Sequence, residues 1–156
     1  MTCIAWDGKI LAADRMCSTN GYTYEKQKLI EVTRQSSGLK YAVAWTGNEC
    51  GYLSVFDWWN KGAAPEDFPA IQASDHGATM IVLRLEDTST KAPVFYDRSP
   101  FPHSVEPNQA RAWGCAAQIA MGAMWMGATA PQAVRAANDL DSDCGYGVDA
   151  AYRGET

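Results

Sequence analysis

The sequence predicts an α+β protein in which two mainly antiparallel sheets stack face to face and helices cover both outer sides. Three observations lead there. Hairpin signals dominate: Asp7-Gly8 sits between short apolar runs, and Ser36-Ser37-Gly38 separates two alternating segments. The helical segments come in blocks and do not alternate with strands, which excludes a doubly wound fold. Apolar faces then exist on both strand sets and on the helices, and four layers bury all of them.

The elements follow in order. The first hairpin runs from Thr2 to Asp14, with Asp7-Gly8 as its turn and Asp14 at the end of the Ala12-Ala13 strand. Arg15 to Lys26 is polar, carries Asn20-Gly21, and reads as a loop or irregular crossing. Lys28-Leu29-Ile30-Glu31-Val32 resumes strand alternation. Leu39 to Trp45 continues it beyond the Ser36-Ser37-Gly38 turn, with Tyr41, Val43 and Trp45 on one face. Asn48 is an N-cap for a helix over Glu49 to Lys61, in which Leu53, Phe56 and Trp59 recur at helical spacing and Gly62 is the stop.

The stretch from Pro65 to Pro69 is a connection. Thr79 to Leu85 is a strand, paired with Val94-Phe95-Tyr96 across a turn over residues 86–91, and Ser99 to Pro107 is an extended loop because of its three prolines. A second helix starts at Trp113-Gly114-Cys115-Ala116-Ala117 and runs to about Met126. Its small residues permit close packing. Thr129-x-x-Gln132 is a capping box for a third helix, Ala130 to Leu140, and Tyr146 to Tyr152 closes a sheet.

A length of 156 residues suits one domain over residues 2–156 with a substantial core. A net charge of −5 without a basic cluster argues against nucleic acid as a partner, and no apolar run reaches membrane-spanning length. The amino terminus lacks the layout of a signal peptide, so a cytoplasmic location is expected. Five dispersed cysteines fit reduced thiols, and two distant histidines show no zinc-ligand spacing; no cofactor is implied. Trp58, Trp59 and Trp125 are candidates for an apolar subunit contact.

The chemistry begins at Thr2. Its hydroxyl stands at the open end of the first strand, and Thr is small enough for Met1 removal to be expected. The exposed α-amine, with a pKa near ~8 in model compounds, can then serve as general base for the adjacent hydroxyl.

The Thr2 to Asp14 hairpin, Lys28, Gly47, Gly114-Cys115 and Asp141-Ser142-Asp143-Cys144-Gly145 together resemble the proteasome β-subunit family and its bacterial relative, the HslV threonine peptidase. The resemblance spans nearly the whole chain and implies the αββα Ntn-hydrolase fold. It places Thr2 at the nucleophile, Asp14 at the aspartate that pairs with the catalytic lysine, and Lys28 at that lysine, with Lys26 the nearest substitute. Gly47 falls at the glycine whose N–H forms the oxyanion hole. Lys28 is expected to act through charge and not through packing. Two departures accompany this: thiols stand at Cys115 and Cys144 where the family has serine hydroxyls, while Asp141 is retained. Thiols are weak hydrogen-bonding groups, so the network around the nucleophile is altered.

The resemblance further implies a peptide or unfolded-protein substrate, a homo-oligomeric ring with inward-facing sites, and an unfolding ATPase as a candidate partner. The chain is shorter than typical family members. Two alternatives stay open: a non-peptidase Ntn amidohydrolase, and a catalytically silent assembly subunit.

Overall fold

A computed structural model describes residues 2–70, 77–86 and 92–154. The inner sheet that carries the amino terminus contains β1 (Ile4–Trp6), β2 (Ile10–Asp14), β10 (Arg111–Trp113) and β11 (Val148–Tyr152), in the order β10-β1-β2-β11. The second sheet runs β5-β6-β7-β8-β9, from β5 (Leu29–Thr33) through β6 (Lys40–Gly47), β7 (Ala78–Arg84) and β8 (Val94–Asp97) to β9 (His103–Ser104). Every pairing is antiparallel. A separate hairpin joins β3 (Met16–Thr19) to β4 (Tyr22–Glu25).

Strand alternation builds the layers, because successive side chains point to opposite faces. Ile4, Trp6, Leu11 and Ala13 meet Ala42, Ala44, Ile81 and Leu83 in one core between the sheets. The intervening Cys3, Ala5 and Ala12 face outward onto helices α2 (Ala117–Trp125) and α3 (Ala130–Leu140). On the other side Val43, Trp45, Met80 and Val82 face helix α1 (Glu49–Asn60). The result is the four-layer α+β sandwich, with its layers in the predicted order. The two outer layers differ in kind. Alanines dominate under α2 and α3, whereas on α1 Tyr52 stacks on Trp45, and Trp58 and Trp59 meet Tyr96 and Tyr41 edge-on.

The caps follow the sequence. Asn48 accepts the Gly51 N–H at 3.2 Å, and the reciprocal capping box at Thr129 and Gln132 is formed. α3 buries Ala130, Ala133, Val134 and Ala137, an i, i+3, i+4, i+7 stripe. Asp7 organises two elements at once: Oδ1 accepts Lys9 N–H and Ile10 N–H in the β1–β2 turn, and Oδ2 accepts Ala130 N–H at 2.7 Å at the start of α3.

Several expectations are corrected. The register Trp6↔Leu11 makes Gly8-Lys9 the central pair of the first turn, with Gly8 at φ 100°, and Asp7 precedes it. Arg15 to Lys26 is mostly the β3–β4 hairpin, because Asn20 (φ 48°) and Gly21 (φ 84°) supply the two left-handed residues of a tight hairpin turn. Trp113 ends β10, paired with Ile4, and helix α2 begins only at Ala117. The buried stripe of α1 is Tyr52, Val55, Trp58 and Trp59, leaving Leu53 52% exposed. Trp58 and Trp59 are therefore core, and of the three tryptophans considered for a contact surface only Trp125, 88% exposed, presents one. Most of the predicted turn over residues 86–91 lies outside the described residues. No helix among them is long and apolar enough to cross a membrane.

Candidate active site

Lys28 and Asp14 form an ion pair, Nζ to Oδ1 2.7 Å, with side chains 1% and 0% exposed. The lysine approaches from the residue before β5, where its carbonyl still accepts Trp45 N–H at 3.2 Å, so the backbone at Lys28 is tied to β6. Its ammonium donates to Asp14 Oδ1, to Met16 O at 2.5 Å and to Thr2 Oγ at 3.1 Å. Asp14 is held as firmly. Oδ1 accepts Cys3 N–H at 3.0 Å, and Oδ2 accepts Met16 N–H at 3.2 Å and Gly145 N–H at 3.3 Å. Charges buried this deeply are stable only when paired and hydrogen-bonded.

Lys28 is thus distinguished from Lys26, which pairs with Glu49 in partly exposed surroundings. The burial also corrects the view that Lys28 has no structural part, since its removal leaves Asp14 as an uncompensated buried charge.

Thr2 is 3% exposed and borders a pocket of about 400 Å³ lined by Cys17, Ser18, Thr19, Tyr24, Trp45, Gly47, Asn48, Glu49 and Cys50. Gly47 lies in this wall at φ 96°, and a Cβ there would sit 2.6 Å from Gly77 O, so both conformation and space require glycine. Gly114 (φ 100°) is tighter still: a Cβ would fall 2.0 Å from Thr2 O. Nothing in the sequence alone identifies that contact. The pocket wall from β3 and β4 was also missed, although Asn20-Gly21 between Met16–Thr19 and Tyr22–Glu25 carries the signal.

The remaining predicted residues gather on the opposite side of Thr2. Cys115 Sγ lies 3.7 Å from Thr2 O. The side-chain ligand atoms of Cys115, Asp141 and Cys144 lie within 4.8 Å of one another, although 26 residues separate Cys115 from Asp141. Asp141 caps the C-terminus of α3, and its Oδ1 accepts Asp143 N–H at 2.9 Å. Burial, then the Asp14 carboxylate, pushes the Cys3 thiol up to about 12. Cys144 is raised by the same two causes in the same order, so both remain neutral thiols at physiological pH. Of the seven predicted site residues, Thr2 and Gly47 line the pocket, Lys28 and Cys115 reach Thr2 directly, Asp14 pairs with Lys28, and Asp141 and Cys144 lie beside Cys115.

Solved structures share this αββα fold. The chain is similar to eukaryotic HslV from Trypanosoma brucei (14% identity, TM-score 0.67, 99% of each chain covered). It is similar to BPH from Thiobacillus denitrificans in complex with epoxomicin (15%, 0.68, 100% of each chain). It is also similar to Anbu from Hyphomicrobium sp. strain MC1 (8%, 0.70, 99% of this chain and 82% of that one). No family model matches the chain, and no curated protein matches it by sequence. At these identities the likeness establishes the fold, which is the one the sequence resemblance implied.

Proposed function

We propose that residues 2–156 form one domain of a threonine-type endopeptidase that works inside a proteasome-like ring. The observation that carries this reading is the hydrogen bond from the buried Lys28 ammonium to Thr2 Oγ at the edge of an open pocket. Removal of Met1 would place an α-amine beside that hydroxyl. The Lys28 charge disfavours protonation of a neighbouring amine, leaving more free base at neutral pH.

Thr2 Oγ attacks a peptide carbonyl while the amine takes its proton. The Gly47 N–H stabilises the oxyanion, a contribution commonly worth ~10²–10³ in rate. Collapse returns the proton to the leaving amine and leaves an ester on Thr2, which water cleaves. Asp14 holds Lys28 in place. Cys115, Asp141 and Cys144 position the Thr2 main chain.

Assembly follows from the same reading. Trp125 and Met126 at the end of α2 and Leu140 at the end of α3 are exposed apolar groups suited to a subunit contact. A closed cyclic homo-oligomer is expected, with unfolded protein as substrate and an unfolding ATPase as a partner. Sedimentation that finds only monomer at micromolar concentration would remove the compartment from this scheme.

The decisive test is a peptide epoxyketone. Its ketone and epoxide close a ring only with a hydroxyl and a free amine on neighbouring carbons, which a processed Thr2 offers and no cysteine side chain does. One adduct per subunit is expected on the amino-terminal peptide, with none in Thr2→Ala and a reduced yield in Thr2→Ser. Intact mass should lack one methionine. A full-length mass with no adduct would favour the silent assembly subunit, and an active small monomer with an open pocket would favour the amidohydrolase.

A further inference from the structure

We propose that Cys115, Asp141 and Cys144 form a binding site for a borderline-soft divalent cation of the Zn²⁺ class, set against the main chain of Thr2. The three side chains reach one point from the turn before α2, the C-cap of α3 and the turn that follows it. That last turn is ordered by its own hydrogen bonds: Cys144 N–H donates to Asp141 O at 3.2 Å, and Asp143 N–H occupies Asp141 Oδ1. The thiol of Cys144 and the carboxylate of Asp141 are therefore presented together by a folded loop.

The donor chemistry selects the ion. Two cysteine sulfurs, which release their protons to solvent as the metal binds, and one carboxylate suit Zn²⁺, whereas Mg²⁺ and Ca²⁺ take oxygen ligands. At Zn–S and Zn–O lengths of about 2.3 and 2.1 Å, neighbouring tetrahedral ligands stand roughly 3.5–3.8 Å apart. The observed atoms, all within 4.8 Å, reach that spacing by moving about an ångström. Cys144 is 3% exposed. Cys115 is exposed and provides the way in. Cys115 Sγ donates to the Thr2 carbonyl at 3.7 Å; coordination would replace that hydrogen bond, and water can fill the fourth position.

The site is tested by binding alone. Reduced full-length protein is titrated with Co²⁺ as the spectroscopic probe, and Zn²⁺ affinity is measured by competition with a chromophoric chelator. One Co²⁺ per chain with a thiolate-to-metal charge-transfer band is expected. Cys115→Ser and Asp141→Asn should each weaken Zn²⁺ binding at least about tenfold, since even outer-shell partners commonly contribute that much. Cys50→Ser, on α1, should keep full affinity. Absence of stoichiometric binding, unchanged affinity in Cys115→Ser, or loss in Cys50→Ser would each overturn the site. Because hydrolysis is not the readout, such a failure leaves the peptidase reading standing. Conversely, metal-free protein that neither hydrolyses peptides nor forms the epoxyketone adduct refutes only that reading.

Discussion

The two sides of Thr2 are built on different terms. On one side the chain buries full charges, Lys28 and Asp14, and anchors both on strand ends. On the other it gathers two thiols and a carboxylate on turns at helix ends. The difference follows from desolvation. A buried ion costs several kcal/mol unless its partners are in place, so it needs the rigidity of a sheet. A neutral thiol is a weak donor that packs as a small apolar group, and a turn positions it well enough. The charged side should therefore tolerate no change, and the thiol side should tolerate conservative ones.

The sharpest way to break the comparison is Lys28→Ala. It should abolish peptide hydrolysis and also destabilise the fold by roughly 3–5 kcal/mol, as removal of one partner of a buried pair does. The double variant Lys28→Met/Asp14→Asn should recover most of the stability, read by denaturant melts, without recovering turnover. Unchanged turnover in Lys28→Ala would show that another lysine serves.

Next in size is Gly114→Ala. The added methyl meets Thr2 O at 2.0 Å in a left-handed backbone, so the first strand must shift. Loss of epoxyketone labelling with a folded far-ultraviolet spectrum is expected. Full labelling would mean that Thr2 is not held from this side.

A smaller effect is expected where the thiols are exchanged for hydroxyls. Cys115→Ser should change kcat/KM by no more than about tenfold, the span of one ordinary hydrogen bond. A change of several hundredfold would place Cys115 on the same footing as Lys28.

The mildest test is pH. The folded-state pKa of Cys3, about 12, lies above that of an unfolded thiol, so the unfolded chain loses its proton first as pH rises. The contribution of this thiol to stability is complete below about pH 8.5 and declines from there toward pH 12. Cys144 acts in the same direction. Denaturant midpoints should fall between pH 8.5 and 10.5, and Cys3→Ala should flatten that slope. A midpoint independent of pH in the parent chain would show that neither thiol is buried in solution.

What the sequence determined by itself is local or periodic. Alternation in Lys40–Gly47 and Ala78–Arg84, the Asn48 cap and the Thr129 capping box depend on neighbours within a few residues, and all appear in the structure. Thr2, Asp14 and Lys28 were legible only as a resemblance across the chain, because nothing in their spacing says that they touch. Tertiary structure decided the rest. Trp58 and Trp59 became core because helix α1 turned that stripe onto an aromatic sheet face, a choice among faces that periodicity left nearly equal. Gly114 acquired its meaning from Thr2 O, 112 residues away in the chain. Lys28 changed from an expected electrostatic accessory to a structural necessity, since the cost of an unpaired buried charge depends on a burial that only the packed sheets create.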